Sequence, residues 1–240
     1  MDINRPSKTI DYTYRYQFAN NREITINVEL DAKTLALVNV PACDAYPSWA
    51  RLDFNRCPNC TLAPGKDTLC PVAGNLVHVI NTFGHSISYD RVTIRITAPS
   101  REYSKATSLM EAISSLVGIY MVTSGCPVLD KLRPMVKYHL PFATLDESKY
   151  RAISMYLMAQ YLRYKAGKEA DWQLQRLGAL YEEIRAVNLA FSKRLQSAIS
   201  EDASINALVK LDCFADVIAF SIHGDDLYNA MKDTFEAFLK

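Results

Sequence analysis

The stretch Ile10-Asp11-Tyr12-Thr13-Tyr14-Arg15-Tyr16-Gln17-Phe18 decides how the amino-terminal half folds. Its apolar and aromatic residues occupy every second position, the period of a strand with one face in a core. Ala19-Asn20-Asn21-Arg22 follows. This is turn chemistry, because asparagine tolerates positive φ. Ile24, Ile26, Val28 and Leu30 then alternate again, so residues 10–30 are expected to form an antiparallel hairpin. Further strands are predicted near residues 49–55 and over 91–97, where Val92, Ile94 and Ile96 alternate with Arg91, Thr93 and Arg95. Between them Val72, Leu76, Val79, Ile80 and Phe83 have helical spacing.

From about Ser104 onward the period changes to that of helices. Ser108 and Glu111, then Thr144 and Glu147, are spaced as capping boxes, and Gly125 and Gly167 are placed to end the helices they open. The second helix shows Tyr150, Ile153, Leu157, Tyr161 and Tyr164 on one face, with Met155, Met158 and Leu162 over much of the rest. That coverage predicts a central position. Leu174, Leu177, Tyr181, Ile184, Asn188, Phe191 and Leu195 form a three-four seam of bundle type. Ile205, Leu208, Asp212, Ala215, Ala219 and Ile222 suggest another helix before Gly224, and Asp225 or Asp226 can cap a short last one. The expected fold is α+β: an antiparallel sheet with a cysteine loop and helix over residues 1–103, packed on a helical bundle over 104–240. The short join predicts one compact unit.

Composition narrows the function classes. At 240 residues, 49% hydrophobic and 22% charged, the chain reads as an ordinary globular protein. Lys+Arg 27 against Asp+Glu 26 gives a net charge of +1, so nucleic acid is not an expected partner. The start, Met1-Asp2-Ile3-Asn4-Arg5-Pro6, has no signal-peptide pattern. The most apolar stretch, Leu109–Val122, carries Glu111, Ser114 and Ser115 and is too short to span a bilayer. A cytoplasmic location without membrane association is expected. There, a disulfide framework does not explain the 6 cysteines.

Their spacing points to a metal. Cys57-Pro58-Asn59-Cys60 is a C-x-x-C pair, Cys70-Pro71 follows after nine residues, and Cys126-Pro127 lies beyond the first long helix. A turn with two intervening residues can aim both sulfurs at one ion while backbone N–H groups support the thiolate charge. Proline after three of these cysteines keeps the sulfurs on loops. Cys57, Cys60, Cys70 and Cys126 are the candidate ligands. Zinc or a [4Fe–4S] cluster would suit them, since scattered cysteines with Cys-Pro steps also hold clusters. A thiol–disulfide site at Cys57/Cys60 is the competing chemistry, weakened by Pro64 and Gly65 where a helix would be needed. Incidental buried thiols are the plain alternative. Cys43 and Cys213 read as packed small hydrophobes. Haem attachment is excluded, because Thr61 stands where histidine is required.

Other groups carry weaker signals. His78 and His85 flank the helix after Cys70 and could substitute as ligands, although packed or surface histidines explain them as well. His223 attracts no role. Arg133, Lys137 and His139 could form a cationic pocket for a small anion, against the simpler reading of a solvated connector held by Pro134 and Pro141. Asn188 and Asp212 occupy apolar seam positions, where buried polar groups need partners. Pairing with each other or with Gln160 would fix helix register. Glu-x-x-His pairs, G-x-G-x-x-G and G-x-x-x-x-G-K-[ST] are all missing from the sequence. This excludes the usual di-iron bundle and the common phosphate cradles. The tyrosine strand reads as core rather than as a stacking platform.

Taken together, Cys57-Pro58-x-Cys60, Cys70-Pro71 with Asn75-Leu76, and Thr123-Ser124-Gly125-Cys126-Pro127 resemble a family of uncharacterised bacterial proteins, a domain of unknown function. Arg133-Pro134-Met135, His139-Leu140-Pro141 and Met155-Tyr156-Leu157-x-Ala159-Gln160-Tyr161 extend the resemblance over nearly the whole chain. It implies a bacterial origin and brings the four cysteines forward together, and it implies no activity. The leading expectation is a metal-binding protein whose four-cysteine site joins the two halves, structural if zinc, with a redox or sensor role if iron–sulfur. Two alternatives stand beside it. One is a thiol-dependent enzyme with the anion pocket at Arg133 and His139. The other is an interaction module whose tyrosine sheet contacts a protein.

Overall fold

The computed structural model describes residues 8–40, 43, 45–65, 68–83, 86–197, 205–206, 211–212, 215–216 and 226–240. The expected hairpin is present as β1 (Thr9–Phe18) and β2 (Glu23–Asp31), with Asn21 at φ 65° in its turn. Strands β3 (Arg91–Ala98) and β4 (Arg101–Ser108) complete an antiparallel sheet in the order β2-β1-β3-β4. Tyr14 stands opposite Ile26 on one side and Ile96 on the other, and Tyr16 opposite Ile24 and Ile94. The alternation therefore delivers one buried face: Tyr12, Tyr14, Tyr16, Ile26, Val28, Ile94 and Ile96 are all nearly inaccessible. Each such side chain contributes about 1.5–3 kcal/mol by leaving water. The opposite face is solvated, with Arg15 paired to Glu23 at 3.7 Å and Arg95 to Glu102 at 3.3 Å.

Two expected boundaries change. Residues 49–55 form no named strand. A 3₁₀ turn, Ser48–Ala50, leads into one antiparallel bridge between Arg51 and Leu69. Trp49, Ala50 and Leu52 are buried without alternation, and Asn55 turns the chain away at φ 42°. The change to helix comes after Ser108 rather than near Ser104. As the edge strand, β4 carries Glu102, Ser104 and Lys105. Polar residues are the normal protection of an edge, and they conceal the strand in the sequence.

Helix α1 (Pro71–Phe83) meets the buried sheet face through Phe83, whose ring lies 5.0 Å from that of Tyr16. Helix α2 (Leu109–Val122) starts with Ser108 Oγ accepting from Glu111 N, and buries Leu109, Ala112, Ile113, Leu116 and Tyr120. This helix is central. A 3₁₀ segment (Leu129–Leu132) and the short α3 (Pro134–Lys137) follow.

Helix α4 (Leu145–Lys165) has the full Thr144/Glu147 capping box, but it is not the central helix its composition suggested. Only Ala152, Tyr156 and Gln160 are buried, and Tyr150, Met158, Tyr161, Leu162 and Tyr164 are exposed. Tyrosine hydroxyls and the interspersed Lys and Arg keep those faces in water. Helix α5 (Gln175–Gln196) buries its seam as expected. The expected helix through Leu208, Ala219 and Ile222 lies largely outside the described residues. Short helices at Asp226–Met231 and Glu236–Leu239 end the chain. Among the described residues no helix is long and apolar enough to cross a membrane.

Candidate metal centre

The four predicted cysteines come together. Cys57, Cys60, Cys70 and Cys126 all line one cavity of about 20 Å³, walled by Leu52, Val72, Val128, Val187 and Phe191. They arrive from three separate stretches. Cys57 and Cys60 sit on a tight turn in which Cys60 N–H donates to Cys57 O at 3.1 Å. Arg56 Nη2 braces that turn by donating to the carbonyls of Cys60 (2.9 Å) and Leu62 (2.6 Å). Cys70 stands immediately before Pro71, the first residue of α1, and its N–H donates to Ala50 O at 2.9 Å. Proline suits this helix start because an N–H there has no intrahelical partner, and the helix dipole favours negative charge at the preceding sulfur. Cys126 follows Gly125, whose φ of 86° turns the chain after α2. The backbone N–H groups of Leu129 and Val128 favour the thiolate form of its sulfur.

Helix α5 fastens these pieces together. Asn59 Nδ2, inside the C-x-x-C turn, donates to Glu183 O at 2.9 Å. Lys131 Nζ, five residues after Cys126, reaches the Glu183 carboxylate at 3.0 Å. Asn55 Nδ2 donates to Ser197 Oγ at 2.8 Å. One helix thus holds the turn of Cys57 and Cys60 beside the segment of Cys126.

Burial disfavours the thiolate form of Cys57 and of Cys126. Burial pushes Cys57 up to about 12, reinforced by Cys70 and opposed by the nearby Arg194. Burial also raises Cys126, against the lowering by the backbone N–H groups of Leu129 and Val128. A reactive thiolate needs the opposite shift. A soft cation, in contrast, displaces the thiol protons and stabilises the sulfurs directly. Among the described residues no three His, Cys, Asp or Glu side chains already stand in metal-ligating geometry. The four cysteines border the cavity. The five described cysteines are all free thiols. Cys43 does not line the cavity and donates to Ala45 O, in keeping with a packed residue. His78 is exposed and also lies off the cavity. Cys213, His85 and His223 lie outside the described residues.

The residues of the proposed anion pocket point to different partners. Arg133 Nη1 donates to Thr34 O at 3.1 Å, and its Nη2 pairs with Asp130. Lys137 is exposed, 5.8 Å above the Tyr138 ring. His139 faces Tyr14, whose hydroxyl lies 2.7 Å from Nε2, and burial depresses its pKa to about 3. The ring is therefore neutral at ordinary pH. His139 does line a cavity of about 210 Å³, and the cation beside it there is Arg151. Proximity along the chain favoured Arg133. Arg151 comes instead from α4, with Nη2 donating to Met135 O (3.0 Å) and Tyr138 O (3.2 Å).

The buried polar residues separate as well. Gln160 Oε1 accepts from Asp171 N–H at 2.9 Å, so it shapes the α4–α5 connection. Asn188 is buried and lines an adjoining cavity of about 160 Å³ with Ser148 and Tyr181. Asp212 has one buried carboxylate oxygen without a hydrogen bond; burial raises its pKa, opposed by Arg185.

One residue beside the cysteines escaped sequence reasoning. Arg194 is 1% exposed, among the largest fully buried side chains. Its signal was present: Leu180, Ile184, Val187, Phe191 and Arg194 keep three-four spacing, which puts the charge on the apolar stripe.

No curated protein and no solved structure matches the chain. Over residues 12–236 it matches the family described as "Domain of unknown function (DUF6901)", and the chain belongs to that family.

Proposed function

We propose that this is a cytoplasmic metal-binding protein whose centre, at Cys57, Cys60, Cys70 and Cys126, joins the sheet-bearing half to the helical half. The observation that carries the reading is the meeting of four thiols from three stretches at one small cavity. Thiols brought together without disulfides fit a reducing compartment. Four soft donors suit zinc or iron–sulfur chemistry. The cavity favours a single ion, because about 20 Å³ is roughly the space of one water-sized body. A [4Fe–4S] cluster would require its walls to part. A closed zinc site would be structural, contributing its binding free energy to folding. The burial that raises Cys57 speaks against the thiol-enzyme reading. The burial of Tyr12, Tyr14 and Tyr16 speaks against the interaction-module reading.

The test is metal and acid-labile sulfide content, with an absorption spectrum, on protein purified without oxygen. One zinc per chain without colour is the expected result. Iron with sulfide and a broad visible band would replace zinc by a cluster and bring a redox or sensor role forward. Folded protein that binds neither would reject the centre. Cys126→Ser is expected to lower metal content and loosen the helical half, and full occupancy with unchanged thermal stability in that variant would contradict the proposal.

A further inference from the structure

Arg194 places a cationic guanidinium in a fully buried position. Its Nη1 donates to Trp49 O and to Arg51 O, both at 2.6 Å. The rings of Phe54 and Phe191 lie 6.0 and 5.9 Å from its central carbon. Its Nε makes no hydrogen bond, and among the described residues it has no carboxylate partner. Neutral carbonyls and aromatic faces ease the burial of a cation without neutralising it. A buried charge without a counter-charge is strongly unfavourable.

Among the described residues, the cysteine cluster is the evident source of a compensating negative charge. Leu52 and Phe191 line the cysteine cavity, and Phe191 also flanks Arg194. The carbonyls of Trp49 and Arg51 go to Arg194, while the carbonyl between them, of Ala50, accepts the N–H of Cys70. Arg194 and Cys70 are thus tied to the same three-residue stretch. Neutral thiols would supply no counter-charge, and no carboxylate among the described residues pairs with the cation. Four thiolates around a divalent ion form a complex with a net double negative charge, which a buried arginine opposes directly.

We propose that Arg194 is the built-in counter-charge of the four-cysteine centre, which takes a divalent metal as an anionic tetrathiolate complex. This rests on the metal-binding reading above. Arg194 is then a positioning residue: it touches no metal, and its charge favours the deprotonated sulfurs that do.

The test compares Arg194→Lys, which keeps the charge, with Arg194→Gln, which keeps a donor for the Trp49 carbonyl and loses the charge. Affinities for Zn²⁺ and Co²⁺ are measured by competition with a chromophoric chelator, in wild type first. Folded wild-type protein that binds neither ion defeats the metal reading itself, and the proposal with it. With binding established, R194K is expected within about threefold of wild type. R194Q is expected to bind at least about tenfold more weakly, the scale of one charge interaction in a partly buried site. Wild-type affinity in R194Q would overturn the proposal while leaving the metal site intact. Equal losses in both variants would assign Arg194 a purely structural role and overturn it too. Release of bound Zn²⁺ into excess chelator gives the same comparison from loaded protein and needs no folded metal-free form. R194Q should release at least about tenfold faster than R194K, and equal rates would overturn the proposal.

Discussion

The hydroxyl of Tyr14 and Nε2 of His139 lie 2.7 Å apart, joined across 125 residues of chain. The neighbouring tyrosines of β1 do the same work: Tyr12 donates to Val136 O at 2.9 Å, and Tyr16 to Ala112 O at 3.4 Å. A strand whose buried face is tyrosine rather than leucine has hydroxyls to place, and buried hydroxyls require partners. Here the partners are all in the helical half. The sheet and the helices are therefore docked by a row of directional contacts as well as by apolar area.

His139 makes that docking sensitive to pH. Its folded pKa, depressed by burial to about 3, lies below the ordinary 6.5. Between those values the unfolded chain binds the extra proton, so stability falls as pH falls. The contribution is whole above about 6.5 and decreases toward 3. At pH 5 the loss is about 2 kcal/mol relative to pH 7. Denaturant unfolding at both values should show wild type losing about that much more than His139→Gln. Parallel losses would mean that His139 is free to protonate in the fold.

The same contacts explain how far the sequence could be read. The hairpin was legible because every second residue from Tyr12 to Phe18 faces the core, and the four cysteines because their spacing and prolines stand out in any context. The edge strand β4 was not, since a solvated edge lacks the alternation that identifies strands. α4 was misplaced because Tyr, Met and Leu count as apolar in a pattern yet sit on its exposed faces. The partners of His139 and Arg194 depend on tertiary approach, which periodicity does not encode. The burial of Arg194 itself was readable, had a charge on an apolar stripe been treated as a signal.

Asp171 should matter more to α5 than the residue adjoining that helix. Leu174 occupies the cap position with φ 61° and offers no side-chain acceptor. The Asp171 carboxylate accepts instead from Gln175 N (3.1 Å), Arg176 N (2.8 Å) and the Tyr156 hydroxyl (2.8 Å). Asp171→Ala is expected to cost about 1–2 kcal/mol, the range for losing a capping side chain, read as a lower denaturation midpoint with unchanged slope. Asp171→Asn, which keeps an acceptor, should recover much of it. Equal effects from both would locate the contribution in charge rather than in capping.

Cysteine replacement should divide the thiols sharply. Serine at position 57, 60, 70 or 126 should each reduce bound metal, because all four sulfurs border the same cavity. Cys43→Ser should leave it unchanged, since that thiol only donates to Ala45 O. Metal per chain, measured after identical purification, checks the set. A loss in Cys43→Ser as large as in the others would indicate a general sensitivity to thiol removal, and the cavity would lose its claim.

If the four cysteines hold a metal, removing it should open the molecule at a specific place. The C-x-x-C turn is held by Arg56 and by Asn59 on Glu183, and the segment after Cys126 by Lys131 on the same residue. Lys131 and Glu183 are both about half exposed. A surface ion pair of this kind contributes about 0–1 kcal/mol, too little to hold two loops against their conformational entropy. A metal binding three stretches at once would supply the rest. Chelation is therefore expected to increase amide hydrogen exchange first over residues 56–62 and 126–132, with the sheet strands β1 and β3 protected as before. Stability should then fall by several kcal/mol, the scale of a structural metal. Uniform loss of protection across the chain would instead make the centre a requirement of the whole fold, and no change on chelation would separate the four cysteines from stability altogether.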